Sequence, residues 1–362
     1  MGKQTAARYN PQPLDNVIGC LKSLRTDESK ARRHPNADAT LTNFPRNISP
    51  FALDYLLIIT LSAAFRRLVD KTQVIPAYFL TGDVRTRADH TIGVAYIAKR
   101  IAQLLGLNEM LAEVVAICHD SGHVPYAHST EKTFSEKFGR KFHHSTNGPI
   151  VLQKIDNNGR GIPLTNLTFG GILAHTSNGG PLVARTGPPE WTIVMFADKI
   201  EFVAKDIAYF LAKGISLPTK NKNLFRLYRW FGGSAEAMIE NCINALVLES
   251  AKKGYASFEC SEAAKNFLAM YKIMYDDIYH VINREDELWK IIEKIYARLQ
   301  DAIPEVDPSM LIALSTERDL ERILAPRYKQ QWIPIARGSF DPKLIEFLKN
   351  TPIDMTDPGL NW

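Results

Sequence analysis

The stretch Thr91-Ile-Gly-Val-Ala-Tyr-Ile-Ala-Lys-Arg-Ile-Ala-Gln-Leu-Leu105 decides the fold class. Its apolar residues recur at steps of three and four residues, which places them along one face of an α-helix. Gly106 follows directly and is a typical helix stop. The same spacing returns from Glu109 to His119 and from Glu190 to Leu211. Because no series of alternating apolar and polar residues accompanies these stretches, the sequence predicts an all-α fold.

The chain divides into three predicted segments. Residues 1–48 are polar and carry basic clusters such as Lys30-Ala-Arg-Arg-His34, which indicates an N-terminal arm with little core of its own. Residues 49–215 and 216–362 both show helical spacing. We therefore predict a basic arm, a helical core and a helical C-terminal region that packs on the core.

Two further patterns complete the helical prediction. Amphipathic stretches run from Ala263 to Asn283 and from Asp286 to Leu299, and each predicts a helix. Between Asp156 and Pro189 the chain is rich in Gly, Asn and Pro, which favours a loop over the surface.

The apolar runs are too short for a membrane span. The best candidate, from Phe51 to Phe65, is interrupted by Asp54 and Ser62, and no run reaches the ~20 residues that a bilayer requires. The N-terminus shows no apolar signal-peptide core, and the four cysteines form no CxxC pair. We therefore expect a cytoplasmic protein with no membrane partner.

The net charge of +5 is a mild basic excess. Such a balance suits nucleic acid, and it equally suits a pocket built for polyphosphate. Basic and aromatic residues alternate in Phe225-Arg-Leu-Tyr-Arg-Trp230, which leaves single-stranded nucleic acid as a candidate partner. The alternative is a helix with a solvated basic face.

Histidines are concentrated in one part of the chain. Six of the nine lie at positions 90, 119, 123, 128, 143 and 144. The centre of the cluster is His119-Asp-Ser-Gly-His-Val-Pro-Tyr-Ala-His128, where Gly122 frees the chain to bend. An imidazole and a carboxylate side by side suit a divalent ion such as manganese, magnesium, iron or zinc.

A complete metal site needs more ligands than this pair. His90 opens one apolar helix, and Asp198 lies within another that reads Ile193-Val-Met-Phe-Ala197. An unpaired carboxylate is costly in such surroundings, so Asp198 needs a partner. That partner is either a metal or a Lys or Arg side chain, and His90 is either a ligand or a polar residue satisfied by its neighbours.

One helix face carries further polar residues beyond Asp198. Asp198, Phe202 and Asp206 are four residues apart, so they line one face within about three turns. Lys199 lies beside this face and could meet phosphate, although such lysines are often ordinary surface residues. Asp206 either faces a ligand that reaches Asp198 or pairs with an arginine from a neighbouring helix.

These residues resemble known families. His90, the His119-Asp120 pair and Asp198 are similar to the H…HD…D pattern of HD phosphohydrolases. The stretches from Ala64 to Pro76, from Val84 to His90 and from His119 to Glu131 resemble the dGTP triphosphohydrolase family. Residues 197–206 also resemble the vertebrate deoxynucleotide triphosphohydrolase that joins SAM and HD domains. The resemblance covers residues 50 to 210, and it implies that segment 49–215 is an HD-domain catalytic core.

The resemblance implies a role for each matching residue. His128 matches the catalytic histidine, Glu131 the carboxylate that orients it, and His123 and His144 active-site histidines near the phosphates. The implied metal ligands are His90, His119, Asp120 and Asp198.

The implied substrate contacts lie outside the histidine cluster. Arg87 and Lys199 match groups that hold phosphate, and Gln73 and Asp206 match groups that hold the deoxyribose 3′-hydroxyl. Phe202 stands where the family has a tyrosine that packs on the sugar, and it has no hydroxyl to donate. The family's Gly-His-x-Gly-Glu also becomes Ala127-His-Ser-Thr-Glu131 here.

The resemblance implies a metal-dependent dNTP triphosphohydrolase that yields a deoxynucleoside and triphosphate, usually as a homo-oligomer. Two alternatives remain open at this point. One is an HD-type phosphodiesterase or nucleotidase that acts on another nucleotide. The other is a non-catalytic protein on the same scaffold that binds nucleotide or nucleic acid.

Overall fold

The computed structural model describes residues 8–45, 47–73, 85–176, 182–214, 222–279, 285–325 and 342–360. Within these ranges the regular structure is helical, apart from one isolated antiparallel bridge between Thr72 and Thr86. The predicted all-α fold is confirmed. Among the described residues, no helix combines the length and the apolar character needed to cross a membrane.

The chain forms two compact units that interleave along the sequence. Unit I comprises Met1–Asp27, Gly93–Ala116 and Ala174–Ile282. Unit II comprises Glu28–Ile92, Ile117–Leu173 and Asn283–Trp362. The predicted division of the chain into three consecutive segments, 1–48, 49–215 and 216–362, stays a prediction.

The helices in the first half of the chain include those around the histidine cluster. The α-helices are α1 (Asp38–Leu41), α2 (Pro50–Leu61), α3 (Ala63–Arg67), α4 (Arg87–Leu105), α5 (Glu109–Cys118), α6 (Ala127–Lys137), α7 (His144–Ile150) and α8 (Asn166–Ala174). Short 3-10 turns cover Lys22–Leu24, Glu28–Lys30, Pro35–Ala37 and Leu68–Asp70, and a π-helical segment, Val151–Ile155, continues α7.

The second half of the chain adds longer helices. They are α9 (Pro189–Ala212), α10 (Lys222–Trp230), α11 (Ala235–Lys253), α12 (Glu262–Ile273), α13 (Glu285–Ala302), α14 (Pro308–Ala313), α15 (Glu317–Leu324) and α16 (Pro342–Asn350), with a π-helical segment, Met274–Tyr279, after α12.

Unit I is built around α9, which packs against α11 and α12. Apolar residues on α9 such as Ile193, Phe196 and Ile200 are fully buried, as their spacing predicts. α11 begins at the cap Ser234, whose side chain accepts from the N–H of Ala237, and ends at Gly254 with φ +76.

Unit II is organised by α13, which packs against α6, α14 and α15. Its buried polar centre includes Asp54, whose carboxylate accepts from the N–H and hydroxyl of Thr165 and from the hydroxyl of Thr168. Arg33 of the predicted arm pairs with Asp54 and also donates to the carbonyl of Pro50. The arm is therefore anchored by polar contacts around a fully buried carboxylate.

The loop predicted between Asp156 and Pro189 is wrong over part of its length, because α8 forms from Asn166 to Ala174. Phe169 and Ile172 are fully buried there, so packing outweighs the low helix propensity of the two glycines. Residues 177–181 of that loop lie outside the described residues.

The remaining helix predictions agree with the structure. The stretch predicted from Ala263 is helical through Tyr279, and its last residues, 280–283, lie outside the described part of the chain. The segment Phe225–Trp230 lies in α10, where Leu224, Leu227 and Tyr228 are buried. Its arginines are exposed, as expected for a helix with a solvated basic face.

Candidate active site and metal centre

The metal centre predicted around the HD pair begins with a buried cluster in unit II. His90 lies in the first turn of α4, and His119 and Asp120 follow the end of α5. The exposed fractions of these residues are 1%, 0% and 3%. His119 Nε2 lies 3.3 Å from Asp120 Oδ1, and His90 Nε2 lies 3.9 Å from Asp120 Oδ2. Two imidazoles and one carboxylate therefore converge away from solvent.

This cluster has the chemistry and spacing of a metal site. Imidazole nitrogen and carboxylate oxygen bind divalent ions at about 2.0–2.2 Å, so two donors on one ion lie about 3 Å apart. The separations around Asp120 are close to that value. The residues present thus fit a divalent cation.

Arg87 adds a cation to the same cluster. Its guanidinium donates to Asp120 Oδ2 at 2.7 Å, and both side chains are buried. Burial raises the pKa of the Asp120 carboxyl, but His119, His123 and Arg87 together hold that pKa well below its usual range. The carboxylate is therefore ionised, which is the form that binds metal.

A second polar group in unit II is centred on Glu131 of α6. Its carboxylate contacts His128 Nδ1 at 2.9 Å through Oε2 and His144 Nδ1 at 2.9 Å through Oε1. The backbone N–H of His144 also donates to Oε1 at 2.9 Å. The ring of His123 stacks on that of His144 with centroids 3.8 Å apart. One carboxylate thus organises the predicted catalytic histidines.

The protonation of this group follows from its contacts. Burial raises the pKa of Glu131, but His144 and His128 outweigh burial and hold it well below its usual range. An ionised carboxylate only accepts hydrogen bonds, so His128 and His144 both present Nδ1–H to it. Burial, assisted by Arg87 and His144, lowers the pKa of His123 well below its usual range, which keeps that ring neutral.

The two polar groups are joined by Ser121–Ala127, which we call the HD loop. His123 Nε2 lies 3.2 Å from Asp120 Oδ1, so the stacked histidine contacts the metal cluster directly. A Cβ on Gly122 would lie 2.0 Å from the His144 carbonyl oxygen. Close packing of two backbone segments therefore requires a glycine at position 122.

The segments that carry Gln73 and Arg87 pair with each other. Gln73 N donates to the carbonyl of Arg85 at 3.0 Å, and Arg87 N donates to the carbonyl of Lys71 at 2.8 Å. Gln73 Oε1 is buried and lacks a hydrogen-bond partner among the described residues. This pairing fixes both predicted substrate-binding residues relative to the HD loop, because Lys71 Nζ donates to the carbonyl of His123.

The other predicted site residues lie on α9 in unit I. Asp198 is 6% exposed, and its carboxylate accepts from Lys199 Nζ at 2.6 Å. A lysine is one of the two partners that the sequence left open for Asp198. Its role as the fourth metal ligand stays a prediction.

Phe202 and Asp206 have a neighbour that sequence reasoning missed. Tyr279 donates from its hydroxyl to Asp206 Oδ2, and its ring centroid lies 6.0 Å from that of Phe202. Asp206 is 2% exposed and contacts this tyrosine hydroxyl. Tyr279 lies 73 positions away in sequence, and no spacing signal could have found it.

Comparisons with known proteins point to one family. The HD domain family matches residues 87–202. The deoxyguanosinetriphosphate triphosphohydrolase-like protein of Clostridium tetani is 36% identical over 226 residues, which cover 60% of this chain and 63% of that protein. Its counterpart in Clostridium perfringens strain 13 is 34% identical, with 65% of this chain and 69% of the relative covered. The one in Caldanaerobacter subterraneus is 30% identical, with 73% and 76% covered.

The matched region contains the metal cluster, Glu131 and the segment of α9 with Asp198. The protein is therefore an HD-domain hydrolase. It belongs to the deoxyguanosinetriphosphate triphosphohydrolase-like family.

Proposed function

We propose that this protein is a metal-dependent deoxynucleoside triphosphate triphosphohydrolase that converts a dNTP and water to a deoxynucleoside and triphosphate. One observation carries the proposal. A buried donor set of His90, His119 and Asp120 adjoins histidines whose orientation is set by Glu131. The names of the relatives support a nucleoside triphosphate as substrate.

The metal ligands in this proposal are His90, His119, Asp120 and Asp198. When bound, a divalent ion supplies charge neutralisation for the phosphate and a lower pKa for a water ligand. The ionised state of Asp120 and the burial of both imidazoles favour binding of such an ion. The native ion is one of manganese, magnesium, iron and zinc.

His128 is proposed as the group that moves a proton at the scissile bond. Its side chain is 62% exposed, whereas those of His123 and His144 are only 3% and 5% exposed. With Nδ1–H held by Glu131, Nε2 is the atom that faces a substrate. This atom could protonate the leaving oxygen or attack phosphorus directly, and the proposal covers both roles.

In this proposal the substrate is held by the residues predicted to bind phosphate and by those predicted to bind the sugar. Arg87 and Lys199 would contact phosphate, which requires each to exchange its present carboxylate partner for the substrate. Gln73 and Asp206 would bond the sugar hydroxyl, and Phe202 would pack on the sugar. A cytoplasmic location, a homo-oligomer and a single-stranded nucleic acid partner stay predictions.

The experiment that tests the proposal is product analysis. Purified protein is incubated with each dNTP in the presence of Mn²⁺ or Mg²⁺, and the products are separated by ion-exchange chromatography. Deoxynucleoside and triphosphate in equal amounts support the proposal. A nucleoside monophosphate would indicate the phosphodiesterase or nucleotidase alternative, and an unchanged dNTP that still binds would indicate the non-catalytic one.

A matched pair of variants shows whether any activity belongs to this site. His128→Ala should remove the activity, because His128 is the exposed imidazole held by Glu131. His143→Ala should retain most of it. His143 is half-buried, and its side chain accepts from Ser145 N as the cap of α7. Equal activity of both variants would place the chemistry elsewhere.

A further inference from the structure

Glu317, in the C-terminal region, is buried in unit II at the start of α15. It is 2% exposed, and it follows Thr316, the N-cap of that helix. Thr316 and Asp319 form a reciprocal capping box in which each side chain bonds the other's backbone N–H. The start of α15 is therefore capped by these two residues.

The Glu317 carboxylate contacts two segments that are remote in sequence. Oε1 accepts from the N–H of Tyr126 at 3.0 Å and from the N–H of Thr72 at 3.3 Å. Tyr126 belongs to the HD loop, and Thr72 precedes Gln73. One oxygen atom thus joins the loop that leads into His128 to the segment that carries a predicted substrate-binding residue.

Lys71 extends this connection. It is 1% exposed, and its ammonium group donates to the carbonyl of His123. Burial and the neighbouring Arg67 lower the pKa of Lys71 to about 7, whereas the charge of Glu317 raises it. The charged forms of Lys71 and Glu317 therefore stabilise each other.

The backbone held by Glu317 adopts an unfavourable conformation. Tyr126 and Ala127 have φ of +57 and +47, in the left-handed region that non-glycine residues rarely occupy. Such residues persist only when their surroundings over-determine the conformation. Since His128 follows directly, a relaxation at Tyr126 or Ala127 would move its imidazole.

Stability alone gives little reason for a carboxylate at position 317. Its Oε2 atom is buried and has no hydrogen-bond partner among the described residues. Burial accordingly raises the pKa of Glu317. Burying a carboxylate is costly, so the contacts that Glu317 makes with two remote backbone segments point to a role in holding those segments.

We infer that Glu317 is a positioning residue of the active site, which holds the HD loop and the Gln73 segment in fixed relation through Tyr126 and Thr72. The inference rests on the proposed function for its kinetic effect. Through Glu317, the C-terminal region therefore contributes to catalysis by positioning the HD loop.

The test compares three variants of the full-length protein. Glu317→Ala removes the acceptor, and Glu317→Gln keeps an oxygen that can accept from both N–H groups. Thr316→Ala removes the cap of the same helix and leaves the contacts of Glu317 in place. Each variant is assayed for kcat and KM with dNTP and Mn²⁺. Hydrogen exchange by mass spectrometry is measured on peptides that cover residues 121–127.

For Glu317→Ala we expect kcat to fall at least about 10-fold, by more than KM rises, because small misplacements of reacting groups are costly. Exchange in residues 121–127 should accelerate. Glu317→Gln should restore most of kcat. Thr316→Ala should lower the melting temperature while kcat stays within about 2-fold, since a cap contributes to helix stability alone.

Several outcomes would overturn the inference. One is that folded Glu317→Ala keeps the kcat of the wild type and its exchange rate in residues 121–127. Another is that Thr316→Ala shows the fall in kcat and the faster exchange that we expect of Glu317→Ala. Should Glu317→Ala not fold, Glu317→Met replaces it, because methionine keeps the buried volume without an acceptor. Failure of both to fold would show a structural role and also overturn the inference. If the wild type releases no triphosphate, the proposed function fails, and the exchange data still decide whether Glu317 positions the loop.

Discussion

Arg87 donates to Asp120 at 2.7 Å inside unit II, so a predicted phosphate-binding arginine is paired with a predicted metal ligand. Both side chains are buried, and Asp120 also contacts His119 and His123. Arg87 therefore compensates the charge of Asp120 when no other cation does. This relationship links the stability of the site to its occupancy.

Removal of Arg87 should make the protein depend on metal for stability. Breaking a buried ion pair costs about 3–5 kcal/mol, because it leaves an uncompensated charge. We expect Arg87→Ala to have a lower melting temperature than the wild type in chelator. Addition of Mn²⁺ should raise the melting temperature of Arg87→Ala by more than it raises that of the wild type. Differential scanning calorimetry with and without Mn²⁺ measures both effects.

Arg140→Ala is the matched control for that experiment. Arg140 pairs with Asp307 at 2.8 Å, but its side chain is 53% exposed. Surface pairs contribute about 0–1 kcal/mol, so this variant should behave like the wild type. Equal stability of the two variants in chelator would contradict the coupling between Arg87 and Asp120.

Metal removal should abolish activity. Dialysis against a chelator, followed by assay without added ion, should leave no measurable turnover, and Mn²⁺ or Mg²⁺ should restore it. Asp198→Asn should lower the affinity for the ion, because an amide is a weaker ligand than a carboxylate. Full turnover in excess chelator would rule out the metal-dependent mechanism, and unchanged metal affinity in Asp198→Asn would remove that residue from the ligand set.

His128 and Glu131 should differ in their contribution to the rate. His128→Ala should retain metal and lose at least about 100-fold in kcat, the usual contribution of a placed acid or base. Glu131→Gln should lose less, about 10-fold, since it acts by orienting His128 and His144. Metal content is measured alongside by atomic emission. Loss of metal in His128→Ala would make His128 a ligand instead.

The parts of the site predicted from the sequence are those whose residues are local or lie on one helix. His119 and Asp120 adjoin, Glu131 follows His128 by three positions, and α4 ends at Leu105, directly before the predicted stop at Gly106. Helical spacing reports burial of apolar faces, which is why the all-α fold was predictable.

Contacts between remote segments had no such signal. Glu317 lies 191 positions from Tyr126, and its bonds are to backbone atoms, which leave no residue pattern. α8 was missed because the burial of Phe169 and Ile172, which only the fold creates, outweighs a glycine-rich composition. Gly122 was identified, but its close approach to the His144 carbonyl is a tertiary contact.

Glu249 in unit I should make stability depend on acid pH. Its carboxylate accepts from the N–H groups of Glu259, Cys260 and Ser261, which fixes the loop between α11 and α12. Burial raises the pKa of Glu249, but these hydrogen bonds outweigh burial and lower it to about 2. A lowered folded-state pKa gives stability that is present above the unfolded pKa of about 4.3 and is lost as pH falls toward 2.

Glu249→Gln isolates this contribution. At pH 7 the variant should be less stable by about 1–3 kcal/mol, because it loses charge-assisted hydrogen bonds. The difference in unfolding free energy between Glu249→Gln and the wild type should become smaller as pH is lowered below about 4.3. Urea unfolding at pH 7, 5 and 3.5 measures it. A difference that stays constant across this range would show that the ionised form is not what stabilises the loop.

Asp206 should make the enzyme sensitive to the sugar of its substrate. Asp206 is buried and accepts from Tyr279, and Phe202 packs beside the same tyrosine. A carboxylate in this setting can accept a further hydrogen bond through its remaining lone pairs. If it accepts from the 3′-hydroxyl, a substrate that lacks this group leaves a buried acceptor unsatisfied. We expect 2′,3′-dideoxynucleotides to be hydrolysed at least about 100-fold more slowly than dNTPs.

Variants separate this role from a structural one. Asp206→Asn and Gln73→Ala should each reduce the preference for dNTPs over dideoxynucleotides. Each should also lower the activity on dNTPs. Tyr279→Phe removes the hydroxyl that donates to Asp206 but keeps the carboxylate, so the preference for dNTPs over dideoxynucleotides should persist. Initial rates with paired deoxy and dideoxy substrates measure each ratio. Equal rates on both substrates in the wild type would mean that Asp206 serves its contact with Tyr279 and takes no part in holding the sugar.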